Sequence, residues 1–421
     1  MSAPDSIVCR VIEACRLEVM RDQGFSEDDN MKKRNHEHQF SSDHRELPHV
    51  SRRAFTRMAS ALAGVAALPF YNESSLAFAQ LSKIGQLPPD AVKINANENP
   101  LGPCPTAVEA AGKVIKNGGR YSYELTDELE QILAEAEDLD VNYVQAFAGS
   151  SDPLHRAMMA FTTPTKPLIS ANPDYEAAAR GASFRGAKVI RVPLTQTWAH
   201  DVKAMVKAAE EQEAGLIYIC NPNNPTGTIT PREDIEYLVN NKPEGAVVLL
   251  DEAYIHFCDQ QSGADLVAMD RDVIVLRTFS KLYGMAGLRC GAAMARPDLL
   301  ERLDRFGAGA LPITGVAAAI ASLKVKTLVP ERRRIVKDIR EDVFAFLEKN
   351  NISFVPSQSN FFMLDAKVPA RRLIRAMQKE KVYIGRVWPA MPTCARITIG
   401  AREEMAKFKT ALVKAMAQLQ V

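Results

Sequence analysis

Charge of either sign is not in excess in this sequence. Lysine and arginine number 52, aspartate and glutamate 51, for a formal net charge of +1 over 421 residues. That balance excludes a polybasic nucleic-acid binder, whose affinity comes from neutralised phosphates. No C-x-x-C pair occurs among Cys9, Cys15, Cys104, Cys220, Cys258, Cys290 and Cys394. Their spacings fit neither a zinc site nor a disulfide framework, so no metal is expected and they read as scattered buried thiols. No purely apolar run approaches the length of a membrane-spanning helix, and stable membrane insertion is not expected. The body carries no internal repeat and no low-complexity run, which excludes a repeat array. What remains, with 47% hydrophobic and 24% charged residues, is a soluble globular chain with room for two or three domains.

The first eighty residues differ from the rest. Residues 1–50 are polar and mixed in charge, and His36–His49 is rich in His, Ser, Asp and Glu, so a disordered leader is expected. Ser51-Arg52-Arg53-Ala54-Phe55-Thr56 follows, then an uncharged stretch from Met58 to Asn72 and the triplet Ala77-Phe78-Ala79. Twin arginines, a modest apolar stretch and an A-x-A site, in that order, are the parts of a twin-arginine export signal over 51–80. They point to the periplasm. The alternative is a basic pair before an amphipathic helix in a cytoplasmic protein. About fifty residues precede the arginines, and Met31-Lys32-Lys33-Arg34 offers a later start with a shorter leader.

Beyond Gln80 strands and helices alternate. Tyr143–Ala148, Lys166–Ser170, Lys188–Val192, Leu216–Cys220, Val247–Asp251 and Val273–Arg277 are short, β-rich apolar runs. Helical patterns fall between them, over Pro153–Phe161, Tyr175–Arg180, Asp201–Glu210 and Arg232–Asn240. Two more precede them, Thr106–Lys116 and Thr126–Leu139, the latter with Leu129, Ile132, Leu133 and Ala136 on one face and Thr126 as its N-cap. The alternation predicts an α/β fold with a mostly parallel sheet between helices, and ligands at the carboxyl ends of its strands. From about residue 300 the chain is mainly helical, with a long helix over Lys326–Asn350. Phe361–Leu364, Tyr383–Gly385 and Arg396–Ile399 read as strands of a smaller α/β domain.

The polar motifs fall one after another at those strand ends. The pivotal stretch is Arg277-Thr-Phe-Ser-Lys-Leu-Tyr-Gly-Met-Ala-Gly-Leu-Arg-Cys-Gly291. A lysine (Lys281) after two small hydroxyl residues (Thr278, Ser280), with Arg289 eight residues on, is the layout of a pyridoxal-phosphate anchor. The amine condenses with the cofactor aldehyde, while hydroxyls and a guanidinium hold its phosphate. A bare Ser-Lys pair is far more often an ordinary surface lysine, so the reading rests on its companions. Gly149-Ser150-Ser151 opens a helix whose free N–H groups favour an anion. Tyr175, in Asn172-Pro-Asp-Tyr175, places a ring where it could stack on the pyridine, although packing is the commoner role of a tyrosine. Asn224, in the rigid loop Asn221-Pro-Asn-Asn-Pro-Thr-Gly227, could bond the phenolic oxygen, and Tyr254 could donate to the same atom. Asp251 could pair with the pyridine nitrogen or serve merely as a helix cap. Arg396 could form a fork for a substrate carboxylate or phosphate.

In order and content these motifs resemble the fold-type-I pyridoxal-phosphate aminotransferases, and most of all the histidinol-phosphate aminotransferase family, from about residue 90 to 410. Asn97-Glu-Asn-Pro-Leu-Gly-Pro103 is similar to that family's opening motif, which makes Asn99 a candidate at the substrate. The resemblance implies a large cofactor-binding domain over 123–297 with a seven-stranded-type sheet. It also implies an N-terminal arm and part of the small domain over 81–122, and a small C-terminal domain over 298–421. It implies a homodimer in which Tyr121 reaches the partner subunit's cofactor phosphate. Lys281, Asp251 and Tyr254 fall on the family's catalytic positions. Gly149, Ser150, Ser151, Tyr175, Asn224, Thr278, Ser280 and Arg289 fall on its cofactor contacts. Arg396 falls on its substrate arginine and Arg386 on a second one. The implied activity is transamination between a small-molecule amino donor and a 2-oxo acid such as 2-oxoglutarate. An aminotransferase for aromatic or other amino acids, a lyase or decarboxylase on the same scaffold, and a non-catalytic binding protein are the alternatives. Two departures bear on substrate: no proline follows Tyr121, and Trp388-Pro389 lies in a short segment between Arg386 and Arg396. Asp152-Pro153 departs from the family's phosphate turn, usually Gly-Ser-Asp-Glu, and the export signal is a third discrepancy with a cytoplasmic pathway.

Overall fold

A computed structural model describes residues 86–307 and 310–419, together with Asn72, Glu73, Ser75, Leu76 and Gln80. The leader and the twin-arginine segment, those five residues apart, lie outside the described residues. Twelve strands can be followed among the latter: β1 Val92–Ile94, β2 Val144–Phe147, β3 Leu168–Asn172, β4 Val189–Pro193, β5 Leu216–Cys220, β6 Val247–Asp251, β7 Val273–Thr278, β8 Gly291–Ala295, β9 Phe354–Val355, β10 Phe361–Asp365, β11 Val382–Ile384 and β12 Cys394–Thr398.

Seven of them form one sheet in the order β2-β8-β7-β6-β5-β3-β4. All its neighbours pair in parallel except β8, which runs antiparallel to both β7 and β2. The central strands are apolar throughout because both faces are covered, as expected for parallel strands under helices. In β5, Leu216, Tyr218 and Cys220 pack into the core on one side, and Ile217 and Ile219 into the core on the other. β10 pairs antiparallel with β9 and β12, and β1 pairs in parallel with β11. The mostly parallel, helix-covered α/β sheet is the architecture expected from the alternation.

Several boundaries differ from the expected ones. β3 and β4 begin two and one residues later than the apolar runs suggested, and β8 was not expected at all. Its sequence, Gly-Ala-Ala-Met-Ala, has no β-branched residue and reads as helix or loop by propensity. Small side chains suit a strand wholly buried between two neighbours. Its first residue, Gly291, is level with both Phe147 and Thr278, and a Cβ there would meet backbone of Gly149 at 2.7 Å and Arg277 at 2.6 Å. Thr126 is not an N-cap: the helix starts three residues earlier and runs Tyr123–Glu137. Cys104, Cys220, Cys258, Cys290 and Cys394 are buried free thiols, as their spacing suggested. No single helix among the described residues is long and apolar enough to cross a membrane.

Candidate active site

One edge of the seven-stranded sheet collects the polar motifs. Ser150 and Ser151 follow β2, and Tyr175 follows β3. Asn224 follows β5, Asp251 ends β6 and Tyr254 comes three residues later. Thr278 ends β7, with Ser280 and Lys281 just beyond, and Arg289 precedes β8. All ten side chains line one cavity. Arg289 arrives there only because β8 is reversed: the start of an antiparallel strand lies beside the carboxyl ends of its parallel neighbours.

The floor of the cavity is an anion cradle. Arg289 donates through Nη1 to Ser280 Oγ at 3.2 Å and to the Ala286 carbonyl at 2.9 Å, and through Nη2 to the Ala148 carbonyl at 2.9 Å. Thr278 Oγ1 donates to Ser280 Oγ at 3.0 Å. Gly149 is required where it stands. Its φ is +86°, and a Cβ would lie 2.2 Å from Arg289 Nη2. The helix Ser151–Phe161 starts at the same place and points its positive end into the cradle. Asp152 is drawn away, chelated by Arg156 at 2.7 and 2.9 Å.

Opposite the cradle, Lys281 is 8% exposed and its Nζ donates to the Asn97 carbonyl at 3.3 Å. Burial lowers its pKa to about 8. The Glu73 carboxylate opposes that shift, and Arg396 adds to it. The ammonium lies 5.5 Å from the centre of the Tyr254 ring. The Tyr254 hydroxyl accepts from Asn97 Nδ2 at 3.1 Å, and burial raises its pKa well above that of a free tyrosine. Asp251 accepts from the Tyr218 hydroxyl at 2.9 Å and from the Ala253 N–H at 3.1 Å. Burial raises its pKa to about 6, although the Tyr218 hydroxyl, the Ala253 N–H and the charge of Lys281 favour the ionised form.

Arg396 lies in the middle of β12 and is wholly buried. It donates to Asn224 Oδ1 at 2.8 Å and to the Asn95 carbonyl at 3.0 Å, which ties the small three-stranded sheet to the loop after β5. Arg386 donates to Glu176 at 3.0 Å. Both guanidiniums converge on the Glu73 carboxylate. The indole of Trp388 is buried against the pair, its centre 4.9 Å from the Arg386 guanidinium carbon and 5.3 Å from that of Arg396, and its N–H donates to the Asp174 carbonyl at 2.9 Å.

Gly149, Arg386 and Arg396 do not line the cavity themselves but touch side chains that do, Arg289, Glu73 and Asn224. Asn99 and Tyr121 stand apart from it. Asn99 spends its side chain on backbone, donating to the Leu282 carbonyl at 2.8 Å and accepting from the Leu101 N–H at 3.1 Å, and is not among the cavity-lining residues. It clamps its own loop to the segment that follows Lys281. Tyr121 is 69% exposed and also lies outside the cavity. Sequence reasoning missed Asn97, Tyr218 and Glu73. Tyr218 left a legible signal, a lone hydroxyl in an otherwise apolar strand beside the one that ends in Asp251. Asn97 lies in the opening motif, but its bond to Tyr254 and its φ of +53° are readable only from coordinates.

The sequence model for aminotransferase class I and II matches residues 89–412. The chain belongs to that family. Its members depend on pyridoxal phosphate, and this chain is a transaminase of the histidinol-phosphate aminotransferase kind. It is 32% identical over 335 residues to a histidinol-phosphate aminotransferase from Symbiobacterium thermophilum, covering 78% of this chain and 91% of that one. It is 36% identical over 305 residues to an aromatic amino acid aminotransferase from Cutibacterium acnes, covering 71% and 86%. Among solved structures, the histidinol-phosphate aminotransferase of Sinorhizobium meliloti in complex with pyridoxal-5'-phosphate superposes with a TM-score of 0.75 at 25% identity, covering 84% of this chain and 97% of that one.

Proposed function

We propose that the cavity holds pyridoxal phosphate and that the chain moves an amino group from a donor with an anionic tail to a 2-oxo acid such as 2-oxoglutarate. The observation that carries the reading is the convergence of Arg396 and Arg386 on one carboxylate, with Asn224 linking Arg396 to the cavity of Lys281. The residues fit the group. Arg289, Ser280, Thr278, Ser150 and Ser151 would take its phosphate in the cradle that Gly149 leaves open, and Asp251 would take its ring nitrogen. Asn224 and Tyr254 would take the phenolic oxygen, with the Tyr175 ring against the pyridine. When bound, the cofactor supplies an electron sink for the carbanion formed at the donor carbon. Lys281, with a pKa near neutrality, takes the donor proton and returns it. Arg396 and Arg386 orient the acid end of the substrate.

Histidinol phosphate is the donor that the relatives favour. The burial of Trp388 against both arginines, and the aromatic amino acid aminotransferase among the relatives, favour phenylalanine as a second reading. A single-turnover absorbance experiment separates them: each donor, and glutamate, is added to holoenzyme without a 2-oxo acid. Loss of the lysine-linked cofactor band with low histidinol phosphate is the expected result. A response to phenylalanine or glutamate alone would reassign the donor, and no response to any of the three would sink the reading.

A homodimer belongs to the same proposal. Tyr121 sits with Leu101, Val108, Ile115 and Tyr123 among the exposed large hydrophobics, and in a pair it would serve the partner's cradle. Sedimentation should give a dimer, and an active strict monomer would overturn this. Export by the twin-arginine route is supported by the order of Arg52-Arg53, the apolar stretch and Ala77-Phe78-Ala79.

A further inference from the structure

The di-arginine site already holds an anion from its own chain. Glu73 lines the same cavity as Lys281, Asn224 and Asp251. Its Oε1 accepts from Arg396 Nη2, and its Oε2 accepts from Arg386 Nη2 at 3.0 Å and from Arg396 Nη1 at 3.5 Å. Each guanidinium therefore meets the carboxylate as it would meet the acid group of a substrate. The site cannot do without some anion. Arg396 is wholly buried, and an unpaired buried guanidinium is costly. Its other acceptors are neutral, a side-chain amide and a backbone carbonyl. Arg386 has Glu176 as well, but among the described residues Arg396 has only Glu73 as a carboxylate partner in its hydrogen bonds. A substrate acid group cannot share these donors with Glu73 without placing two buried carboxylates side by side.

We propose that in the uncleaved chain Glu73 is an intramolecular occupant of the acid-binding site and that a substrate's carboxylate or phosphate must displace it, one anion replacing the other on Arg396 and Arg386. The proposal rests on the reading of these arginines as the substrate's acid site. Burial raises the pKa of Glu73, but the two arginines outweigh it and bring the value to about 2, so the occupant is charged at any working pH. Because part of the protein is then closed to substrate, apparent affinity falls by the open fraction.

The test uses the full chain as holoenzyme, its N-terminus verified by mass, since cleavage after Ala79 would also remove Glu73. Succinate, an unreactive dicarboxylate, is titrated by calorimetry against wild type, Glu73→Gln and Glu73→Asp. Hydrogen exchange of a peptide covering residues 72–80 is followed alongside. Glu73→Gln should bind succinate on the order of tenfold more tightly, with Glu73→Asp nearer wild type. Saturating succinate should speed exchange in 72–80 of the wild type. Equal or weaker binding by Glu73→Gln, or unchanged exchange at saturation, would overturn the proposal. Both readouts are independent of turnover, so a failed transaminase assay would sink the functional reading without deciding this one.

Discussion

Lys281→Ala should lower kcat/KM on the order of 10⁴-fold or more, because one substitution removes both the nucleophile and the proton carrier. The fold should survive it. Lys281 Nζ makes one long hydrogen bond, 3.3 Å to the Asn97 carbonyl, and the carbonyl keeps Asn360 Nδ2 as a donor at the same distance. Lys281→Arg separates charge from chemistry: it keeps a cation in the pocket and should be equally inactive. The pH dependence follows from the direction of the shift. A lysine at about 8 instead of 10.5 is roughly one-tenth neutral at pH 7, against about 3 in 10⁴ for an ordinary one. Only the neutral amine attacks the cofactor aldehyde, so the rate at which apoenzyme captures pyridoxal phosphate should rise with pH and level off above about 8. Stopped-flow absorbance measures it. A rate still climbing at pH 10, or wild-type turnover by Lys281→Ala, would remove Lys281 from the centre of the mechanism.

Much of this site could be read without coordinates, because its contacts are local in sequence. Gly149-Ser150-Ser151, Asn221–Gly227, Asp251–Tyr254 and Thr278–Lys281 each carry their chemistry within a few residues of one strand end. Parallel topology then brings the ends together without further information. What escaped was carried by pairing between distant segments. Strand β8 has the composition of a helix, and only its place between β2 and β7 makes it a strand. Without it the position of Arg289 has no explanation. Glu73 was hidden for another reason. It lies within a stretch whose sequence reads as an export signal, and nothing local tells a carboxylate there to cross to Arg396, 323 positions away. Asn99 differs in the opposite sense: its motif draws attention to the loop, but its side chain bonds the Leu282 carbonyl, and it is Asn97 that bonds the Tyr254 hydroxyl.

Asp251→Asn should lower kcat on the order of 10²–10³-fold while the apoenzyme becomes no less stable. The two effects have one origin. A carboxylate at the end of β6 is wanted for its charge, which would keep the cofactor ring nitrogen protonated and the electron sink strong. The protein bears the cost of that charge before any cofactor arrives. Asp251 is 3% exposed and its pKa is about 6, above the ~3.9 of an unfolded aspartate. Between those values the native state binds more protons than the unfolded state, so this group makes stability fall as pH rises from about 4 to 6. Above that the full penalty remains. An asparagine removes the penalty and keeps an oxygen for the Tyr218 hydroxyl, at the smaller cost of the Ala253 N–H, which loses its acceptor and meets the new amide group. Melting temperatures of apoenzyme should therefore move in the variant's favour between pH 5 and pH 8, relative to wild type, while turnover collapses. A variant that melts lower at pH 8 and still turns over at the wild-type rate would make Asp251 a structural cap for the segment it begins and no part of the chemistry.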